Sequence, residues 1–193
     1  MNKFLLKIYQ LKQTVFSIKE LSLLFPEISY ENLKSRLHYA ISNDNLLSPR
    51  RGFFAKQGYN ICELANKLYS PSYISLQTVL KSEGLIFQEY SSIYIVSYLS
   101  RKVLVDNVEL IYKKIPGEII NNSTGIINRG TYFIASKERA FLDVIYLYGN
   151  FHFDNLNGLK WDVINVMKDM YKSKTLINLV NTFYKENNVA SSL

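Results

Sequence analysis

The feature that most constrains this chain is a dense run of helix start and stop signals near its N-terminus. Ser17 stands three residues before Glu20, the spacing of a capping box, and Pro26 closes the stretch IKELSLLF that follows. Ser29 offers a second N-cap and opens a helix predicted from Tyr30 to about Asn43. The link between the two helices is only about four residues long, which makes it a tight turn. Upstream, Phe4, Leu5, Ile8 and Leu11 recur at helical spacing between Asn2 and Lys12, and Thr14-Val15-Phe16 is short and β-prone. Downstream, LLSPRRGFFA places two short apolar stretches around Pro-Arg-Arg-Gly and reads as a β-hairpin. Helix, short strand, helix, tight turn, helix, hairpin is the order of a winged helix-turn-helix.

The third helix has the chemistry such a unit needs. Burying Leu33, Leu37 and Ile41, with about 100° between successive residues, puts Glu31, Asn32, Ser35, His38, Tyr39 and Ser42 on the opposite face. Tyr30 opens the helix, and Lys34 and Arg36 flank that face, where phosphates would run. An amide such as Asn32 can pair bidentately with adenine, and a guanidinium such as Arg36 with guanine. Arg50 and Arg51, beside Pro49 and Gly52, would project from the hairpin tip toward a minor groove or backbone. The DNA-binding candidates are therefore Tyr30, Asn32, Lys34, Ser35, Arg36, His38, Tyr39, Arg50 and Arg51. Each group alone also suits an ordinary solvated surface; their order and spacing tie them together. Charge points the same way. Residues 1–60 hold nine Lys/Arg against four Asp/Glu, whereas residues 61–193 hold fourteen against twelve, so the shorter part carries most of the excess.

KQGYN, residues 56–60, breaks the pattern between two apolar segments and divides the chain into a unit of residues 1–58 and another of 59–193. The second unit opens with a helix, Ile61 to Leu68. SPSYISLQTVLKSEGLI then reads as a turn, a helix ending at Gly84 and entry into a strand. IYIVSYL, KVLVDNVELIYKKI, GIIN and TYFIA read as strands, with Asp106-Asn107 as a hairpin turn. Ser136 caps a further helix whose Ala140, Phe141, Val144, Ile145 and Tyr148 form a wide apolar face, and residues 159–187 are helical in two pieces. The expected class is α+β: a winged helix-turn-helix followed by a mixed α+β C-terminal domain.

Other function classes find little support. The chain has no HExxH, Walker loop, GxSxG or GxGxxG, and Cys62 has no histidine close in sequence. One cysteine and two histidines, His38 and His152, argue against a thiolate metal cluster, and no metal or cofactor is expected. No run of about 18 apolar residues exists to span a membrane. MNKFLLKIYQLKQ is interrupted by Lys7, Tyr9 and Gln10 and reads as an amphipathic helix, not a signal peptide, so a cytoplasmic address is expected.

Two further segments carry a resemblance. ANKLYSPSYISLQTVLKSEGLIFQE, from Ala65 to Glu89, resembles the start of the C-terminal domain of AbiEi-type antitoxins, the antitoxin half of bacterial AbiE toxin–antitoxin and abortive-infection systems. YFIASKERAFLDVIYL is similar to that family's second block, with Ser136-Lys137 where the familiar pattern has Thr-Pro. Together with the N-terminal unit the resemblance covers most of the chain. It implies an autorepressor that binds inverted repeats upstream of its own operon, with two copies on the two half-sites, and opposes a nucleotidyltransferase-like toxin without a stable complex. The positions that map are Tyr69, Pro71, Ser72, Tyr73, Ser75 and Leu76 in the first block, and Lys137, Arg139 and Asp143 in the second. Tyr73 and Leu76 also read as core, Pro71-Ser72 as helix-start chemistry, and Asp143 as an ion-pair partner of Arg139 four residues earlier. The competing expectation is a protein-interaction module whose C-terminal domain holds a partner while the basic N-terminus tethers it to nucleic acid. Single-stranded RNA binding through the tyrosines is a weaker third.

Overall fold

Local signals shape the N-terminal part. The computed structural model describes residues 3–190; Asn2, where the first helix was expected to start, lies outside the described residues. Helix α1 (Lys3–Gln10) buries Phe4, Leu5 and Ile8. Strand β1 (Val15–Ser17) leads directly into α2 (Ile18–Leu24), whose capping box forms as expected: Ser17 Oγ accepts from Glu20 N, and the Glu20 carboxylate accepts from Ser17 N. Ser29 caps α3 (Tyr30–Ser42), which buries Leu33, Leu37 and Ala40, while Ile41 is half-buried. Strands β2 (Leu47–Arg50) and β3 (Phe53–Ala55) form the hairpin, paired through Arg50 and Phe53. Gly52 turns it at φ 83°, a left-handed conformation that suits glycine. The sheet order is β1-β3-β2, all antiparallel. Phe4, Leu5, Ile8, Phe16, Leu21, Phe25, Leu33, Leu37, Ala40 and Leu46 make one core under it.

The rest is built on a six-stranded mixed sheet, order β6-β7-β5-β4-β9-β8. Its strands are β4 (Ser72–Ile74), β5 (Ile93–Ser97), β6 (Arg101–Val105), β7 (Val108–Lys114), β8 (Ile126–Asn128) and β9 (Phe133–Ala135). The β6–β7 turn is Asp106-Asn107 as expected, with both residues at positive φ. The helices are α4 (Ile61–Leu68), α5 (Leu76–Ser82), α6 (Gly117–Ile120), α7 (Lys137–Tyr148), α8 (Trp161–Met167) and α9 (Lys174–Ala190), with a turn of 3₁₀ helix at Lys168–Tyr171. The α+β class is therefore observed. Period two assigns the sheet's faces. Ile74 stands opposite Ile95, and Ile95 opposite Tyr112, whose hydroxyl donates to the Ala65 carbonyl of α4 at 2.8 Å. Tyr73 points the other way, to α7. The central strands are thus covered on both sides, and β4 is buried at every position.

Three expectations are corrected here. Ser72-Tyr73-Ile74 is the strand β4, paired with β5 and β9, where a turn was expected. Pro71-Ser72 does not start a helix: Ser72 opens that strand, and its hydroxyl donates to the Asn66 carbonyl. Residues 85–90, expected to enter a strand, are irregular.

The two parts are bolted together by α4. Glu63 is fully buried, and its carboxylate accepts from Thr14 N (2.9 Å), Thr14 Oγ1 (2.7 Å) and Val15 N (3.3 Å). Lys67, one turn on, donates to the Val15 carbonyl at 2.6 Å and pairs with Glu20 at 2.8 Å. Buried Lys56 closes the other side, donating to the carbonyls of Tyr9 and Leu11. Glu63→Ala strands the two amides and a hydroxyl of residues 14–15 and is expected to lower unfolding free energy by about 2–3 kcal/mol. Urea denaturation of both proteins checks this, and an unchanged midpoint would show that the junction does not depend on the carboxylate.

Candidate nucleic-acid interface

The surface of α3 is where the sequence placed chemistry. Tyr30, Glu31, Asn32, Lys34, Ser35, Arg36, His38, Tyr39 and Ser42 are all exposed, Tyr39 at 69%. The burial of Leu33, Leu37 and Ala40 fixes their direction. Lys34 is held over the Tyr30 ring at 4.3 Å and beside Glu31 at 3.4 Å. The Ser35 hydroxyl returns to the Glu31 carbonyl. The side chains of Asn32, Arg36 and His38 make no hydrogen bond or ion pair with other described residues, so their polar groups face solvent. Tyr9 of α1 donates to the Asn45 carbonyl at 2.6 Å, fixing the C-terminal end of α3.

The hairpin is aimed by the same kind of anchoring. Ile18 N donates to the Gly52 carbonyl at 3.0 Å, pinning the turn against the start of α2, and Ser17 pairs with Phe53. Arg50 and Arg51 are exposed at this tip, and neither side chain has a hydrogen bond or ion pair among the described residues. Unpaired exposed guanidiniums on a fixed turn form a surface that can take phosphate oxygens bidentately.

The C-terminal candidates divide. Tyr69 is half-buried, its hydroxyl accepting from Arg101, and Lys137 is half-buried at the start of α7. Ser72 is buried in its bond to Asn66. Tyr73, Ser75, Arg139 and Asp143 meet in one closed network. Asp143 accepts from Ser75 Oγ (2.7 Å), Tyr73 Oη (3.2 Å) and Tyr171 Oη (2.6 Å), and Arg139 Nε lies 3.4 Å from its Oδ1. Arg139 donates to Tyr73 Oη (3.0 Å) and to the carbonyls of Ile119 (2.8 Å), Thr124 (2.9 Å) and Asn122 (3.3 Å). Gly125 lets this loop close on α7, since a Cβ there would sit 2.9 Å from both Arg139 Cβ and Met167 Sδ. Burial pushes the Asp143 carboxyl up from its ordinary value, against the pull of Arg139 and the three hydroxyls. Arg139 and Asp143 are both inaccessible to solvent, so the network ties β4, α7, the 119–124 loop and the 3₁₀ turn together and presents no reacting group. Tyr171 is the member that sequence reading missed.

Burial pushes the Cys62 thiol up from its usual value, toward the protonated, unreactive form. Among the described residues, no group of three or more His, Cys, Asp and Glu could hold a metal ion, and no helix is long and apolar enough to cross a membrane. A comparison with models of known protein families finds none that matches the chain, and no curated protein matches it either.

Proposed function

We propose that the N-terminal part is a winged helix-turn-helix that binds duplex DNA, and that the protein is a transcriptional regulator. In this reading α2 and α3 are the paired helices, α3 enters the major groove, and the β2–β3 hairpin is the wing. The observation that carries it is the joint placement of two sets of polar groups without protein partners. Asn32, Arg36 and His38 lie on one exposed helix face, and Arg50 and Arg51 on a turn anchored to α2. Two copies on an inverted repeat would place their helices in grooves about one helical turn, roughly 34–36 Å, apart.

The resemblance to AbiEi-type antitoxins extends the proposal to an autorepressor that also opposes a nucleotidyltransferase-like toxin without a stable complex. The convergence of Tyr73 and Ser75 with Arg139 and Asp143 supports reading the two resembling blocks as one structural unit.

The test is binding of the purified protein to DNA from upstream of its own gene, against a scrambled duplex, at low and moderate salt. A preference of about a hundredfold or more that persists at moderate salt is expected. Equal and salt-sensitive binding to both duplexes would overturn the regulator and leave a non-specific tether.

A further inference from the structure

A second site lies away from the α3 face, where the two parts of the chain meet. A cleft of about 340 Å³ is lined by Glu20 of α2, Phe53 of the hairpin, Asn66 of α4, Ser70, and Thr131 and Phe133 from the β8–β9 turn and strand β9. That size is at the lower end of small-molecule sites. Asn66 is only 7% exposed. Its Oδ1 accepts from Phe133 N at 2.6 Å, which fixes the amide's orientation and leaves Nδ2 as the other end. Nδ2 has no acceptor among the described residues. A buried amide donor without a partner is costly and uncommon, and a ligand acceptor would satisfy it.

We infer that this cleft binds a neutral, planar heterocycle carrying a ring carbonyl, of the nucleobase or nucleoside class. Each part of that description follows from the lining. The unmet donor of Asn66 asks for a carbonyl oxygen. Phe133, 47% exposed, and half-buried Phe53 offer ring faces to a flat partner. The hydroxyls of Ser70 and Thr131 have no partner among the described residues and can take ring N–H groups or a sugar. The one cation and one anion of the lining, Lys67 and Glu20, neutralise each other at 2.8 Å, so the cleft offers no net charge to a phosphate or a carboxylate. The occupant would bridge α2 and the hairpin to α4 and β9. The inference does not depend on DNA binding.

The test is calorimetric titration of the full-length protein with uridine, guanosine and adenosine, the last lacking a ring carbonyl. Uridine and guanosine are expected to bind, with adenosine weaker by about tenfold or more. Asn66→Asp keeps the acceptor for Phe133 N and removes the donor, so it abolishes that discrimination while the protein still unfolds cooperatively. Phe133→Ala, at an exposed ring, weakens all three nucleosides alike and covers the case in which Asn66→Asp fails to fold. A short single-stranded uridine oligomer, run beside uridine, separates a free nucleoside from a base presented by a strand, and the tighter binder is the occupant. No heat with uridine or guanosine at millimolar concentration would overturn the site. Equal affinity for adenosine, unchanged in Asn66→Asp, would do the same.

Discussion

Asp143→Ala is expected to cost about 3–5 kcal/mol of unfolding free energy, because it leaves the Arg139 guanidinium buried with no counter-charge. For a chain of 193 residues this is a fall in melting temperature of roughly 6–20 °C. The reason lies in how the charge is shared. Arg139 keeps its bonds to the carbonyls of Ile119, Asn122 and Thr124, but these are dipoles, and its one close anion is gone. The hydroxyls of Ser75 and Tyr171 lose their acceptor at the same time. Arg139→Met removes the other partner and is expected to be similarly harmful, leaving a buried carboxylate held only by hydroxyls. The double variant Arg139→Met/Asp143→Leu should be far less destabilised than the sum of the singles, since no charge remains to be compensated. Tyr171→Phe tests the network's neutral arm and should cost about 1–2 kcal/mol. Urea titrations of the four variants decide the matter. Additive singles and double would show that the two charges do not act as a pair.

The N-terminal half of the fold was legible because its signals are local. Ser17 with Glu20, Pro26, Ser29 and the Arg-Gly turn each act within a few residues, and each formed its cap, stop or turn as written. The same is true of Asp106-Asn107 and of Ser136, whose hydroxyl accepts from Arg139 N. Strand β4 was not legible. Three residues buried on both faces show no alternation, and the neighbours that make them a strand lie about twenty and sixty residues further along, at β5 and β9. Tyr171 was invisible for a related reason: it sits 28 residues from Asp143, and no spacing rule links them. Glu63 and Lys67 look, four apart on a helix, like a surface ion pair. Only the open N–H groups of residues 14 and 15 explain why that carboxylate is buried. The α3 face was legible to the residue, apart from Ala40 taking the buried place expected of Ile41, because helical period alone decides which side chains are left outside.

Removing the wing arginines and removing Arg36 should have different signatures on DNA. The double variant Arg50→Ala/Arg51→Ala takes two exposed guanidiniums from a turn held against α2 by the Ile18–Gly52 hydrogen bond. If these groups meet phosphates, affinity falls on operator and scrambled duplex by similar factors. The slope of log affinity against log salt then becomes shallower by about 0.9 for each phosphate no longer neutralised. Arg36 stands on the helix expected to read bases. Its removal should cost about 1–3 kcal/mol on the operator, with a much smaller effect on the scrambled duplex, so the preference between them shrinks. Both variants should keep wild-type thermal stability, because none of these side chains has a hydrogen bond or ion pair within the described residues. Fluorescence anisotropy over a series of salt concentrations measures both quantities at once. The reverse pattern, selectivity abolished with the wing and a uniform weakening with Arg36, would place the hairpin in the reading groove and turn the docking orientation around. No change in either variant would remove this face from nucleic-acid binding altogether.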